Sequence, residues 1–189
     1  MDGAIAAIDA MPDTPIIETT RFIMRPLVRA DAGPLFPTLS NAEQCRFLTR
    51  PHFESEEELA DWLTDPDWDG RTWIAESRET GAVVGRFVAV PTPDPEVWDT
   101  GYITVSEMQG QGVAQECMQA LIDHLLLKED NRRLTAEIDS GNLASIRLAE
   151  KLGFRHEGTL RQHERTHNGI CDLMIYGLLR SDLASGRSE

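Results

Sequence analysis

One junction constrains this chain more than any other segment: a β-rich run over 97–105 leads through Gln109-Gly110-Gln111-Gly112-Val113-Ala114 into a helix-patterned run over 113–127. Ala114, Cys117, Met118, Leu121, Ile122, Leu125 and Leu126 recur on one face of that run, so the helix packs on a sheet. Small residues at the turn let backbone N–H groups approach a ligand, and the first amides of a helix have no partners within it. The helix dipole adds partial positive charge at the same place, so the turn suits a phosphate or diphosphate without needing a lysine. No Gly-Lys-Ser or Gly-Lys-Thr follows, and the Walker pattern is therefore absent. Several strands precede the turn, which disfavours a dinucleotide fold, whose glycine-rich loop normally follows the first strand.

The flanking segments read as a mixed α/β order without an internal repeat or a low-complexity linker. Residues 1–15 form a loose leader punctuated by Pro12 and Pro15, and ordered structure is expected from Ile16. Phe22, Met24 and Leu27 alternate with polar residues as a strand does. Asp31 stands where it would cap a short helix that holds Pro34 in its first turn and is limited or bent by Pro37. Ser55 and Glu58 have the capping-box spacing ahead of Leu59, Trp62 and Leu63, and Pro66 stops that helix. Residues 71–77 and 82–90 read as a hairpin turning at Glu79-Thr80-Gly81. Residues 134–138 alternate as a strand, Asn142 caps a helix running through Leu152 to Gly153, and 154–161 and 170–179 read as two closing strands.

With 189 residues the chain suits one domain. The leader carries Asp2, Asp9 and Asp13 but no basic residue, unlike a secretory signal, and no stretch reaches the roughly 20 apolar residues that span a bilayer. The expected setting is the cytoplasm, away from membranes. Cys45, Cys117 and Cys171 are an odd number at wide spacing, which suits reduced, packing thiols. Asp and Glu outnumber Lys and Arg by 32 to 18, and a net charge of −14 repels nucleic acid and anionic lipid. The same field would attract a cationic amine, and it would equally serve solubility alone. His156, His163 and His167 gather with Arg155, Arg161 and Arg165 in a stretch read as a rim loop contacting substrate or partner, not a metal site. Trp62, Trp68 and Trp73 read as core or rim packing, while Trp98 sits beside the strand that enters the junction.

At the junction the chain resembles the GNAT superfamily of acetyltransferases: Gln109, Gly112 and Ala114 match its coenzyme A loop. A second match is Asn142-Leu143-Ala144-Ser145 continuing to Lys151-Leu152-Gly153-Phe154. Thr20-Arg21-Phe22-Ile23-Met24-Arg25-Pro26, Asn168-Gly169 through Asp172 and Leu178-Leu179-Arg180-Ser181 are similar to the opening and closing strands of the subgroup that contains ribosomal-protein N-terminal acetyltransferases. The resemblance covers roughly 16–183, leaving 184–189 as a tail. It implies an α/β (α+β) fold: a twisted mixed, mostly antiparallel sheet flanked by helices and splayed between its fourth and fifth strands, with acetyl-CoA entering the splay. It implies an N-acetyltransferase, a monomer or homodimer, acting on a primary amine. A protein N-terminus is the foremost acceptor, polyamines or aminoglycoside-like amines are alternatives, and a CoA-binding module with little catalysis remains open.

The implied coenzyme contacts are Ile103, Thr104 and Val105 on the strand, Gln109, Gly110, Gln111, Gly112, Val113 and Ala114 at the turn, and Asn142, Ser145 and Lys151 on the next helix. Amide formation needs an uncharged amine, a polarised thioester carbonyl and a proton for the departing thiolate. Backbone N–H groups of 103–105 are candidates for the carbonyl contact. Asp99 and Glu137, on the strands expected to flank the cleft, are candidate bases, with Glu107 a third. Many relatives carry a tyrosine where this chain has Ala149, so Ser145 is left as the candidate acid, although its hydroxyl could equally bond the helix backbone or a coenzyme amide.

Overall fold

A computed structural model describes residues 14–185. In chain order the elements are β1 (Ile17–Glu18), β2 (Phe22–Pro26), α1 (Ala32–Leu39), α2 (Glu56–Leu63), β3 (Arg71–Ser77), β4 (Val83–Pro91), β5 (Val97–Thr104), α3 (Val113–Asp123), β6 (Arg133–Asp139), α4 (Leu143–Lys151), β7 (Arg155–Thr166), β8 (Gly169–Leu179) and α5 (Arg180–Ser185). The leader expected over 1–15 lies outside the described residues up to 13. The tail expected from 184 overlaps the end of α5 and otherwise lies outside them as well.

The eight strands form one sheet in the order β1-β2-β3-β4-β5-β6-β8-β7. All pairings are antiparallel except β5 with β6, because α3 intervenes as the crossover that a parallel pair requires. Successive side chains on a strand point to opposite faces, and the core follows that rule: Trp73 packs with α3 and α4, while its neighbour Ile74 packs with α1 and α2. Both are fully buried, so the sheet separates two apolar layers. The cysteines are free thiols, with Cys45 and Cys117 buried and Cys171 half-buried.

Local chemistry departs from expectation in four places. Asp31 makes no cap to α1. Its buried carboxylate instead takes both Arg25 guanidinium nitrogens, at 2.8 and 2.7 Å, and the Val28 N–H at 2.8 Å, because a bidentate charged pair outcompetes a single amide. At α2 the Ser55 hydroxyl accepts from the Glu58 N–H at 3.2 Å, but the Glu58 carboxylate accepts from the Glu54 N–H, one residue beyond the Ser55 N–H that a full capping box would use. The helix expected over 113–127 is α-helical only to Asp123, and His124–Lys128 widen into a π turn that keeps Leu125 and Leu126 buried. The stretch read as a rim loop is strand: β7 runs to Thr166 and pairs with β8, so His163 lies within a long exposed hairpin.

Candidate functional site

The site follows from a broken pairing. β5 and β6 are in register at Val97, Trp98 and Asp99, opposite Arg133, Leu134 and Thr135, and then part. They are the expected fourth and fifth strands once the two-residue β1 is left out of the count. Thr100 still reaches across, donating from Oγ1 to the Thr135 carbonyl at 3.0 Å, but beyond it β5 stays with β4 alone. A cleft of about 810 Å³ opens in the gap, walled by 100–104 of β5, 136–139 of β6, the junction loop and α4.

Backbone direction on β5 decides which amides face the gap. The Val105 N–H donates to the Val84 carbonyl at 3.0 Å. Hydrogen-bonded pairs alternate along an antiparallel ladder, so Ile103 opposite Arg86 also turns its N–H toward β4, while Thr104 and Tyr102 turn theirs toward the gap. This takes the N–H groups of Ile103 and Val105 out of the expected set, although the Ile103 residue still lines the wall while Val105 is buried away from it; Thr104 remains a free donor and Tyr102 joins it. The Thr104 hydroxyl, which belongs to the cleft wall, is buried without a partner among the described residues. A buried orphan hydroxyl on a cavity wall is left for a ligand or a water in the cleft to satisfy.

At the mouth, Gly110 and Gly112 have φ of +73° and +78°, a left-handed conformation that favours glycine at both turns. Gly112 is the N-cap of α3 and supplies no side-chain cap, so the first amides of α3 remain open. Gly110, Gly112, Val113 and Ala114 all reach the wall, as does Gln109, whose Nε2 donates to Gln44 Oε1 at 2.7 Å. Gln111 does not: its side chain donates to the Glu107 carbonyl at 2.7 Å and its carbonyl accepts from Arg21, which turns it outward.

On α4, Asn142 Oδ1 accepts from the Ser145 N–H at 3.2 Å, the expected cap. Asn142, Ser145 and Lys151 all line the cleft. Residues that were not singled out beforehand line it too, above all Tyr102, whose hydroxyl lies 3.1 Å from Ser145 Oγ. Strand alternation was the available signal, since Tyr102 sits two residues before Thr104 and on the same side of β5.

Asp99 and Glu137 fall on one face of the sheet, because Asp99 registers with Thr135, two residues before Glu137. Glu137 is exposed on the cleft wall. Asp99 is not on the wall: it sits at the base of the gap, where its carboxylate accepts from Thr135 Oγ1 at 2.9 Å. Burial pushes its carboxyl up to about 6, with the Thr135 hydrogen bond opposing and the charge of Glu137 adding to the rise. Glu107 lies off the wall on a 3₁₀ turn and accepts from Ser106 Oγ at 3.2 Å. Trp98 packs beneath Arg71 outside the cleft. At the far end, Asn168 in the β7–β8 turn donates to the Arg46 carbonyl at 2.8 Å, so the hairpin braces the segment after α1 that carries Glu43, Gln44 and Phe47 to the wall. Among the described residues no His, Cys, Asp and Glu side chains gather as a metal site, and no helix is long and apolar enough to cross a membrane.

The comparisons agree with this architecture. The acetyltransferase (GNAT) domain family matches residues 21–155. The uncharacterized N-acetyltransferase YoaA of Bacillus subtilis is 28% identical over 173 residues, 88% of this chain and 97% of that protein. The phosphinothricin N-acetyltransferase of Streptomyces coelicolor is 29% identical over 167 residues, 84% of this chain and 96% of that protein. Among solved structures, a GNAT-family acetyltransferase from Bacillus anthracis superposes with a TM-score of 0.82 at 19% identity, covering 88% of this chain and 99% of that one. RimL, a ribosomal L7/L12 alpha-N-protein acetyltransferase in complex with coenzyme A, gives 0.72 at 20%, covering 87% and 98%. Spermidine N-acetyltransferase from Vibrio cholerae, in complex with CoA and spermine, gives 0.76 at 18%, covering 87% and 99%.

Proposed function

The chain belongs to the GNAT acetyltransferase family and is an N-acetyltransferase, and from that premise we propose that it carries an acetyl group from acetyl-CoA to a primary amine, foremost the N-terminal amine of a protein. One observation carries this reading: the gap between β5 and β6 has uncapped helix amides at one end and a carboxylate pair at the other. Bound there, acetyl-CoA supplies the activated thioester. Val113, Ala114 and Gln115 offer N–H groups for its diphosphate, and Lys151 adds positive charge along the same wall. The orphan Thr104 hydroxyl and the gap-facing N–H groups of Thr104 and Tyr102 suit the pantetheine arm and the carbonyl oxygen, where one such donor contributes about 3 kcal/mol to the transition state.

The acceptor enters from the other face. Glu137 takes the proton from the incoming ammonium, and Asp99, with its carboxyl raised to about 6, holds negative charge at the base of the gap near neutral pH. Ser145 faces the departing thiolate. RimL acts on a protein N-terminus, and the likeness of the fold supports the same class here. A small polyamine is the second reading, favoured by Glu43, Glu137 and Asp139 together on the acceptor side of the cleft. The free thiols accord with a cytoplasmic setting.

A thiol-release screen decides among these. Acetyl-CoA is supplied with peptides of varied N-terminal residue and with small amines. Release with a subset of peptides supports the protein acceptor, and release with polyamines alone moves the assignment to the second reading. Calorimetric binding of acetyl-CoA without release across the panel would reduce the protein to a coenzyme-binding module.

A further inference from the structure

We propose that Tyr102 and Ser145 form a two-hydroxyl relay across the cleft, in which Ser145 hands its proton to the departing coenzyme thiolate and Tyr102 on β5 replaces it. This rests on the coenzyme site described above. Position 149, where the resemblance leads one to expect a phenol, is a buried alanine with no proton to give.

The geometry sets the relay apart from an ordinary surface contact. Tyr102 OH and Ser145 Oγ stand 3.1 Å apart on elements 43 residues distant in sequence, and both line the cleft. The tyrosine ring is held by Phe87, its cross-strand partner, with centroids 6.4 Å apart and planes 18° from parallel. Ser145 is held independently through its backbone N–H to Asn142. Ser145 Oγ has no helix-backbone partner among the described residues, which leaves it to Tyr102 and the cleft. Two hydroxyls sharing one hydrogen bond leave the other O–H free to point elsewhere, and the open side is the cleft. Burial raises the Tyr102 phenol above its ordinary range, with the Ser145 hydrogen bond opposing, so it stays protonated as a reservoir. The charged groups on this stretch of cleft are Glu137 and Asp139 from β6, Arg147 and Lys151 from α4 and Glu43 beyond α1, with Asp99 of the same strand off the wall at the base of the gap. None of them bonds either hydroxyl.

The proton account balances. The ammonium proton that Glu137 takes first passes to solvent; the neutral nitrogen then forms the C–N bond and gives its second proton to the freed Glu137 carboxylate. The C–S bond breaks with its electron pair on sulfur, Ser145 O–H protonates that sulfur, Tyr102 O–H restores Ser145, and solvent restores the phenol. The Tyr102 hydroxyl acts through Ser145, as a positioning and proton-supplying group, separately from the backbone N–H that the same residue turns to the gap.

The test reads the acidity of the coenzyme thiol bound to the full chain, by ultraviolet thiolate absorbance against pH, in the unaltered protein and in Tyr102→Phe, Ser145→Ala, Ser145→Thr and the Tyr102→Phe/Ser145→Ala double variant. Tyr102→Phe keeps the ring against Phe87, so the fold is retained. The relay predicts that the bound thiol is more acidic in the unaltered protein and in Ser145→Thr by about one pH unit. It also predicts that each hydroxyl removal lowers kcat about 100-fold with KM for acetyl-CoA little changed, and that the double variant is no worse than either single one. Unchanged thiol acidity in Tyr102→Phe, or single losses that multiply in the double variant, would overturn the relay while leaving the coenzyme site standing. No calorimetric binding of CoA to the unaltered protein would overturn both.

Discussion

Two helices meet the cleft by their N-termini, and they begin in opposite ways. α4 is closed by Asn142, whose side chain accepts from the Ser145 N–H, and α2 is closed likewise by Ser55. α3 begins on Gly112, which has φ +78° and no side chain to offer. Even the one acid in its first turn is diverted: the Glu116 carboxylate accepts from Thr19 Oγ1 at 2.8 Å and from the Arg21 backbone and side chain at 2.8 and 2.6 Å. A capped helix start is a structural joint, complete in itself. An uncapped one, ringed by groups turned away from it, leaves its donors for something outside the chain.

Changes at each start should therefore fail in different currencies. The largest effect is expected from Gly112→Trp, which places a bulky side chain on the cleft wall at a left-handed residue whose added Cβ would already meet Arg21 Nη2 at 3.3 Å. Calorimetry should show CoA affinity reduced at least about 100-fold with circular dichroism unchanged, and near-normal affinity would break the contrast between the two starts. Ala114→Asp puts an anion in the first turn of α3. It should weaken CoA about tenfold while raising the melting temperature slightly, because the same charge repels a diphosphate and suits the helix dipole. Asn142→Ala should reverse that signature, costing about 1 kcal/mol in denaturant unfolding with CoA affinity changed less than about tenfold.

The smallest effect is expected from Glu116→Gln. Burial draws the Glu116 carboxyl up, but the hydrogen bonds from Arg21 and Thr19 outweigh it and hold it below its usual range. Its folded pKa lies below the unfolded one, so its contribution to stability is present above the unfolded carboxylate range and lost as pH falls through the folded value. Thermal unfolding of the two proteins should differ near neutral pH and converge in acid. A constant gap across that range would mean that Glu116 serves packing alone.

The starts themselves were legible in the sequence. Gly112 and Asn142 announce their roles by residue type at a helix boundary, as strand alternation announces Phe22 and Met24. Whatever depended on register was not legible. That Val105 spends its amide on Val84, that Asp99 and Glu137 share a face, and that Tyr102 meets Ser145 all require knowing which residue stands opposite which. Asp31 illustrates a second limit, since a good cap by type was taken by Arg25, a competitor invisible to local spacing.

The most direct test follows the α3 amides themselves. Backbone amide resonances of Gly112, Val113, Ala114 and Gln115 are recorded as CoA, and separately pantetheine, is titrated into the protein. The account predicts that these amides shift and gain exchange protection with CoA but respond little to pantetheine, which lacks the diphosphate. Saturation by CoA with these four resonances unmoved would contradict it.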